Sequence, residues 1–244
     1  MARDEGDVPA SADGVSSGGE NPGAESSETP SPRSPRRMLR DGGGLYLIIT
    51  RPAIHHVELV AAAVDLGVPI VQLREKEASE GELTKLASRL AAIARGSRTL
   101  FVVNDRPRVA LLSGADGVHV GREDVSAESA RRTLGDDLVV GVSGNTPEEA
   151  DEALAAGADY LGVGPIFPTT TKPDARSPIG LDGLRRVVEA RPELPTVAVG
   201  GIDLNRAPSV VAAGAKYVAV VSAVCHAPDP LGALRNLNAA LTKL

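Results

Sequence analysis

Residues 164–173 place three threonines and a lysine side by side, directly after the apolar run at residues 160–163. The four side chains are those of Thr169, Thr170, Thr171 and Lys172, with proline on both sides. Proline restricts the backbone, so the segment is stiffened. Hydroxyls, backbone N–H groups and an ammonium together can bind a cluster of anionic oxygens. The sequence therefore predicts an anion-binding loop at the end of a buried strand.

A second, mostly polar segment follows Ile70 and Val71. Its members are Gln72, Leu73, Arg74, Glu75 and Lys76. The period-two alternation of a strand puts Gln72, Arg74 and Lys76 on one side, where two cations and an amide suit a phosphate-rich ligand. A solvated strand end, with Glu75 neutralising its neighbours, is the alternative interpretation.

Two aspartates follow the next two apolar runs. Asn104 and Asp105 come after the run at 100–103, and Asp124 comes shortly after the run at 117–120. Carboxylates at adjacent strand ends can share Mg²⁺, which is typically held by one or two carboxylates and substrate phosphates. The alternative is that each aspartate caps the helix that follows it.

The remaining polar strand ends predict a second anion site. Gly200 and Gly201 follow one apolar run, and Val221 and Ser222 follow the last; Ser143, after another run, is a separate candidate. Glycine N–H groups and the first turn of a short helix can receive a phosphate. His119 lies within a strand pattern, which favours a hydrogen-bonded structural residue over a proton carrier.

These loops need a scaffold that brings strand ends together, and the pattern from residue 45 onward supplies one. Eight apolar, β-branched runs alternate with helical patterns: 45–49, 70–73, 99–103, 117–120, 139–142, 160–163, 196–199 and 217–220. The helix at 79–95 has a capping box of Ser79 and Glu82. Three Gly-Ala-Asp/Lys segments, at 114, 157 and 214, end helices and lead into strands. This alternation predicts an α/β fold, a (β/α)₈ TIM barrel at residues 41–244, over a doubly wound sheet.

Composition limits the class of protein and its location. Residues 1–40 are rich in Ser, Gly, Pro and acids, so we expect a disordered N-terminal tail. The net charge of −6 argues against nucleic-acid binding, and no apolar run is long enough to span a membrane. One cysteine, Cys225, and no apolar leader predict a cytoplasmic protein. The sequence does not indicate an oligomeric state.

Taken in order, these motifs resemble the thiamine-phosphate synthase (thiamine-phosphate pyrophosphorylase) family across the whole predicted barrel. The matching segments are 72–76, 104–105, 117–124, 141–143, 162–172, 200–202 and 221–222. The resemblance implies a Mg²⁺-dependent transferase of thiamine biosynthesis that acts on two phosphorylated small molecules. It would condense 4-amino-2-methyl-5-(diphosphooxymethyl)pyrimidine with 4-methyl-5-(2-phosphoethyl)thiazole, giving thiamine phosphate and pyrophosphate.

The resemblance also implies roles for individual residues. The pyrimidine diphosphate would be bound by Gln72, Leu73, Arg74, Glu75, Lys76, Asn104, Ser143 and Lys172, of which Arg74, Ser143 and Lys172 would be catalytic. The thiazole phosphate would be bound by Thr169, Thr170, Thr171, Gly201, Val221 and Ser222. Mg²⁺ would be bound by Asp105 and Asp124. Arg122, where a glutamine is common, and the Gly144-Asn145 pair depart from the family pattern.

Two rival functions share this barrel. A thiazole tautomerase would need the second anion site, at the glycines and the last strand end, and an acid/base group such as His119. It would need neither the paired aspartates nor Lys172. A non-catalytic sensor of thiazole phosphate would need none of the leaving-group residues. The joint presence of these residues favours the synthase.

Overall fold

Eight parallel strands close into a barrel in the computed structural model, which describes residues 34–171 and 176–242. The strands are β1 (Gly44–Ile49), β2 (Ile70–Leu73), β3 (Leu100–Asn104), β4 (Gly117–Val120), β5 (Val139–Ser143), β6 (Tyr160–Val163), β7 (Thr196–Val199) and β8 (Tyr217–Val220). Each pairs with the next, and β8 pairs with β1 to complete the circle. The predicted (β/α)₈ barrel is confirmed, with strand bounds within one residue of those expected.

Helices surround this barrel and join its strands. They are α1 (Pro35–Asp41), α2 (His56–Asp65), α3 (Glu80–Ala94), α4 (Pro107–Ser113), α5 (Ala127–Leu134), α6 (Pro147–Ala155), α7 (Gly180–Ala190), α8 (Ala207–Ala212), α9 (Ser222–Cys225) and α10 (Pro230–Thr242). The capping box of Ser79 and Glu82 is present at the start of α3. None of the helices in the described residues is long and apolar enough to cross a membrane.

The repeated Gly-Ala-Asp segments have a shared structural role. In the first two copies, the aspartate before a strand accepts a hydrogen bond from a backbone N–H of the preceding strand. Asp116 accepts from Phe101 and Asp159 accepts from Val140, each at 2.9 Å. These side chains help to fix the pairing of neighbouring strands, and the glycine that opens the first copy, Gly114, ends α4 in the left-handed conformation.

Two apolar layers make up the core. An outer layer of aliphatic side chains lies between the strands and the helices. An inner cluster fills the barrel, and it contains three of the few aromatic residues, Tyr46, Tyr160 and Tyr217. Inside the barrel these rings pack with aliphatic side chains of neighbouring strands.

The first helix corrects the expected extent of the N-terminal tail. Disorder was expected to residue 40, but residues 34–41 contain α1, whose Leu39 is 1% exposed and belongs to the inner cluster. The hydroxyl of Tyr217 donates to the backbone carbonyl of Leu39 (2.7 Å), and Arg36 pairs with Asp159 (2.6 Å). The composition-based prediction missed this because one leucine among arginines carries little apolar signal. Residues 1–33 lie outside the described part of the chain.

We predict that Leu39→Ala lowers the free energy of unfolding by about 2–5 kcal/mol, because it leaves a cavity in the barrel interior. Urea unfolding followed by circular dichroism measures this. Leu112→Ala, at a 59% exposed leucine of α4, is the matched control and should change stability by less than about 0.5 kcal/mol. Equal losses of stability in the two variants would mean that Leu39 of α1 does not pack inside the barrel.

Candidate active site

A cavity of about 370 Å³ lies at the carboxyl ends of the strands. It is lined by most of the residues that the sequence singled out, which converge here from seven of the eight strands and the loops after them. Those residues are Gln72, Arg74, Lys76, Asn104, Asp105, Asp124, Ser143, Thr169, Thr171, Gly201, Val221 and Ser222. The predicted convergence of separate strand ends on one cavity is therefore present in the structure.

Three predicted residues do not line this cavity. Leu73 is fully buried in the outer aliphatic layer, as the strand alternation that turns Gln72 and Arg74 inward requires. Glu75 accepts hydrogen bonds from the backbone N–H of Arg51 (2.7 Å) and pairs with His56 (2.8 Å) in the first loop. Thr170 is exposed on the loop surface. Lys172 lies outside the described residues.

Asp105 and Asp124 form a close carboxyl pair at the ends of β3 and β4. Burial raises the pKa of Asp105 to about 6, and the hydrogen bond and charge of Asp124 act in the same direction. Lys76 lies 3.9 Å from Asp105 and opposes this effect. Neither aspartate caps a helix as the alternative proposed: α4 begins after Arg106 without a side-chain cap, and Ser126 caps α5.

Local backbone geometry holds this pair in place. Asp105 adopts a left-handed conformation (φ 61°), and its N–H donates to the carbonyl of His119 (2.7 Å). Asp124 folds back and accepts a hydrogen bond from the N–H of Gly121 (3.2 Å). A β carbon at Gly121 would lie 2.5 Å from Oδ2 of Asp124, so a larger residue would displace this carboxylate. Arg106 donates to the carbonyls of Lys76 and Ala78. These two bonds hold the loop after β2, which carries Lys76, against the start of α4.

Two further arginines line the cavity, Arg122 and Arg176. Both pair with Glu149 of α6, Arg122 at 2.8 Å and Arg176 at 3.0 Å. Glu149 also accepts a hydrogen bond from the N–H of Asn145 (2.6 Å). Arg122 and Asn145 are two of the positions that depart from the family pattern, and here they belong to one charged cluster. Glu149 was not among the candidate site residues, because its position in α6 gives no sequence signal of these contacts.

The opposite side of the barrel mouth is made from the loops after β6, β7 and β8. Gly201 has a φ of 63°, and a β carbon there would lie 2.5 Å from the carbonyl oxygen of Pro168. Arg206 donates to the carbonyl of Gly201 (2.6 Å), and its guanidinium lies 4.9 Å from the centre of the Phe167 ring. The short helix α9 begins at Ser222, directly after β8, as expected for a phosphate corner.

Polar side chains line the floor of the cavity as a continuous hydrogen-bonded series. Its members are Gln72, Tyr46, Tyr160, His119 and Ser143, with successive distances of 2.8, 2.8, 3.0 and 3.0 Å. Burial lowers the pKa of His119 to about 4, against a smaller, opposite effect of the Asp124 charge. The histidine is therefore neutral at physiological pH, which agrees with the structural role favoured from the sequence.

Sequence reasoning missed the two tyrosines of this series. Strand alternation could have placed them inside the barrel, but the sequence gives no sign that their hydroxyls meet. Space for the rings of Tyr160 and His119 comes from two glycines, Gly141 of β5 and Gly162 of β6. A β carbon at Gly141 would overlap the ring and hydroxyl of Tyr160, and one at Gly162 would lie 2.8 Å from Cε1 of His119.

A closed barrel with a polar cavity at the carboxyl ends of its strands defines a (β/α)₈-barrel enzyme that acts on small molecules. Residues 45–224 match the family model described as thiamine monophosphate synthase. The chain belongs to this family and has its thiamine-phosphate synthase activity, that of a transferase in thiamine biosynthesis.

Individual relatives agree with this assignment. A thiamine-phosphate synthase of Moorella thermoacetica is 45% identical over 205 residues, which are 82% of this chain and 96% of the relative. One from Roseiflexus is 42% identical over 216 residues, 87% of this chain and 91% of the relative. The structure of thiamine phosphate pyrophosphorylase from Pyrococcus furiosus superposes with a TM-score of 0.76 at 39% identity, covering 85% of this chain and 98% of that one.

We predict that Gly141→Ala lowers the free energy of unfolding by about 1–3 kcal/mol, because Tyr160 must move to admit the methyl group. Thermal and urea unfolding measure the change. Gly81→Ala is the matched control, since nothing lies within 4 Å of its β carbon and alanine favours the helix, so stability should not fall. An unchanged stability of Gly141→Ala would contradict the tight packing of Tyr160.

Proposed function

We propose that this chain joins an aminopyrimidine diphosphate to a thiazole phosphate with Mg²⁺ at Asp105 and Asp124, releasing pyrophosphate. The observation that carries the proposal is the division of the cavity into two unlike halves. Arg74, Lys76 and the carboxyl pair follow β2 to β4. The glycines, threonines and short helix follow β6 to β8, on the other side of the barrel. Two anionic substrates can therefore bind face to face.

Asp105 and Asp124 suit a divalent cation whose other ligands would come from the phosphates of the substrate. Among the described residues, no cluster of three His, Cys, Asp or Glu side chains could hold a metal ion. A cation between the two carboxyls would offset the nearby Asp124 charge that helps to raise the pKa of Asp105. When bound, Mg²⁺ would neutralise negative charge on the diphosphate leaving group. Arg74 and Lys76 supply further positive charge beside this pair.

The reaction needs no protein nucleophile. The bond between the pyrimidine methylene carbon and the diphosphate oxygen breaks, and pyrophosphate leaves with the electron pair. The lone pair of the thiazole nitrogen then forms the new carbon–nitrogen bond. In the proposal, Arg74, Lys76 and Lys172 stabilise the departing charge, while Gln72, Asn104 and Ser143 hold the pyrimidine. The resemblance to the family supports the role of Lys172.

The phosphate of the second substrate binds, in the same proposal, to the loops after β6, β7 and β8. Thr169, Gly201 and Ser222 offer hydroxyls and backbone N–H groups around one corner of the cavity. We also propose a location in the reducing cytosol, which the one cysteine, Cys225, supports because it is free and buried.

The main test is pyrophosphate release with both substrates as Mg²⁺ is varied. Release should need both substrates and the metal, and Asp124→Asn should lose most turnover, at least about 100-fold, with weaker Mg²⁺ binding by calorimetry in the presence of pyrophosphate. Asp137→Asn, an exposed carboxylate after α5, should retain wild-type values. Full Mg²⁺-dependent turnover in Asp124→Asn would rule out the metal assignment.

A second test concerns the thiazole phosphate corner. Arg206→Met removes the hydrogen bond to Gly201 and the charge over Phe167, so the KM for thiazole phosphate should rise about tenfold while kcat changes little. Arg186→Met makes the same change at an exposed arginine of α7 and should have no effect. A lower kcat with an unchanged KM in Arg206→Met would contradict this placement of the phosphate.

A further inference from the structure

The hydrogen-bonded series on the cavity floor links five strands and ends at two predicted substrate-binding residues. Gln72 comes from β2, Tyr46 from β1, Tyr160 from β6, His119 from β4 and Ser143 from β5. Tyr46 and Tyr160 are 1% and 0% exposed, so their hydroxyls depend mainly on side-chain partners. The protons of such a buried series must be distributed so that each donor has an acceptor.

The direction of the series follows from its first member. The amide nitrogen of Gln72 can only donate, so the oxygen of Tyr46 accepts. The hydroxyl proton of Tyr46 then points to Tyr160, the other polar contact of that hydroxyl among the described residues. Reversing this bond would leave the Tyr46 proton buried without an acceptor, which is unfavourable.

The same logic fixes the histidine tautomer. The oxygen of Tyr160 accepts from Tyr46, so its own proton is given to Nδ1 of His119. A neutral imidazole that accepts at Nδ1 carries its proton on Nε2. Nε2 therefore donates to Oγ of Ser143. The Ser143 hydroxyl proton is left for a partner in the cavity, which Ser143 lines.

We propose that this series runs in one direction, from Gln72 to Ser143, and that it presents Ser143 to the substrate as a hydrogen-bond donor. Tyr46, Tyr160 and His119 are then positioning residues that act through Ser143. Donation by Ser143 suits an acceptor on the substrate, a ring nitrogen or a diphosphate oxygen. The substrate part of this inference rests on the proposed function, whereas the proton arrangement does not.

The proton arrangement is tested directly by NMR of the four histidines in uniformly ¹⁵N-labelled protein without substrate. His119→Asn assigns the His119 signals. We expect His119 to be neutral at pH 7 with its proton on Nε2. A proton on Nδ1, or on both nitrogens, would overturn the proposal, whatever the enzyme activity shows.

The link to Ser143 is tested with Tyr160→Phe, which keeps the ring and removes the hydroxyl. The fraction of His119 with its proton on Nδ1 should rise, and kcat should fall about three- to tenfold, the effect of one hydrogen bond. Tyr217→Phe makes the same change in the same barrel, at a hydroxyl that contacts Leu39 instead. It should leave the His119 tautomer and kcat unchanged. An unchanged tautomer in Tyr160→Phe would contradict the proposal.

A double-mutant cycle separates positioning from general loss of structure. If Tyr160 acts through the Ser143 hydroxyl, adding Tyr160→Phe to Ser143→Ala should lower kcat by less than about twofold further. Fully additive losses would show that Tyr160 acts by another route. Failure of the wild-type protein to release pyrophosphate would refute the proposed function, and the NMR result would still decide the proton arrangement.

Discussion

Closure of the barrel by the pairing of β1 with β8 is the constraint on which the site depends. Gly44 pairs with Tyr217 and Leu47 with Val220, joining residues more than 170 positions apart. Because all strands are parallel, closure brings the carboxyl end of every strand to one rim. The cationic, carboxyl and glycine-rich loops are distant in sequence, and they meet only on that rim.

The charges at this rim are balanced before any substrate binds. Lys76 lies beside Asp105, and Glu149 holds both Arg122 and Arg176. Lys76, Arg122 and Arg176 could each receive a phosphate, and each lies within ion-pair distance of a carboxylate. An anionic substrate that binds these cations therefore competes with carboxylates that already pair with them.

Much of this architecture could be predicted from sequence. Periodicity and capping residues gave the eight strands and the start of α3, and strand alternation correctly turned Gln72, Arg74 and Lys76 into the cavity. Helix α1 could not be predicted, because Leu39 is stabilised by distant barrel residues and not by a local pattern. The series through Tyr46, Tyr160 and His119 was missed for the same reason: its contacts depend on how far each strand is shifted against its neighbours.

That dependence has a consequence for folding. A strand shifted by one residue would turn its side chains to the other face, so Tyr160 or His119 would leave the series. The remaining polar groups would then be buried without partners, and the glycines at 141 and 162 would face empty space. Correctly aligned strands alone satisfy all five side chains at once. The hydrogen bonds on the floor of the cavity therefore favour the correct strand alignment, because a misaligned barrel loses them even before any ligand is present.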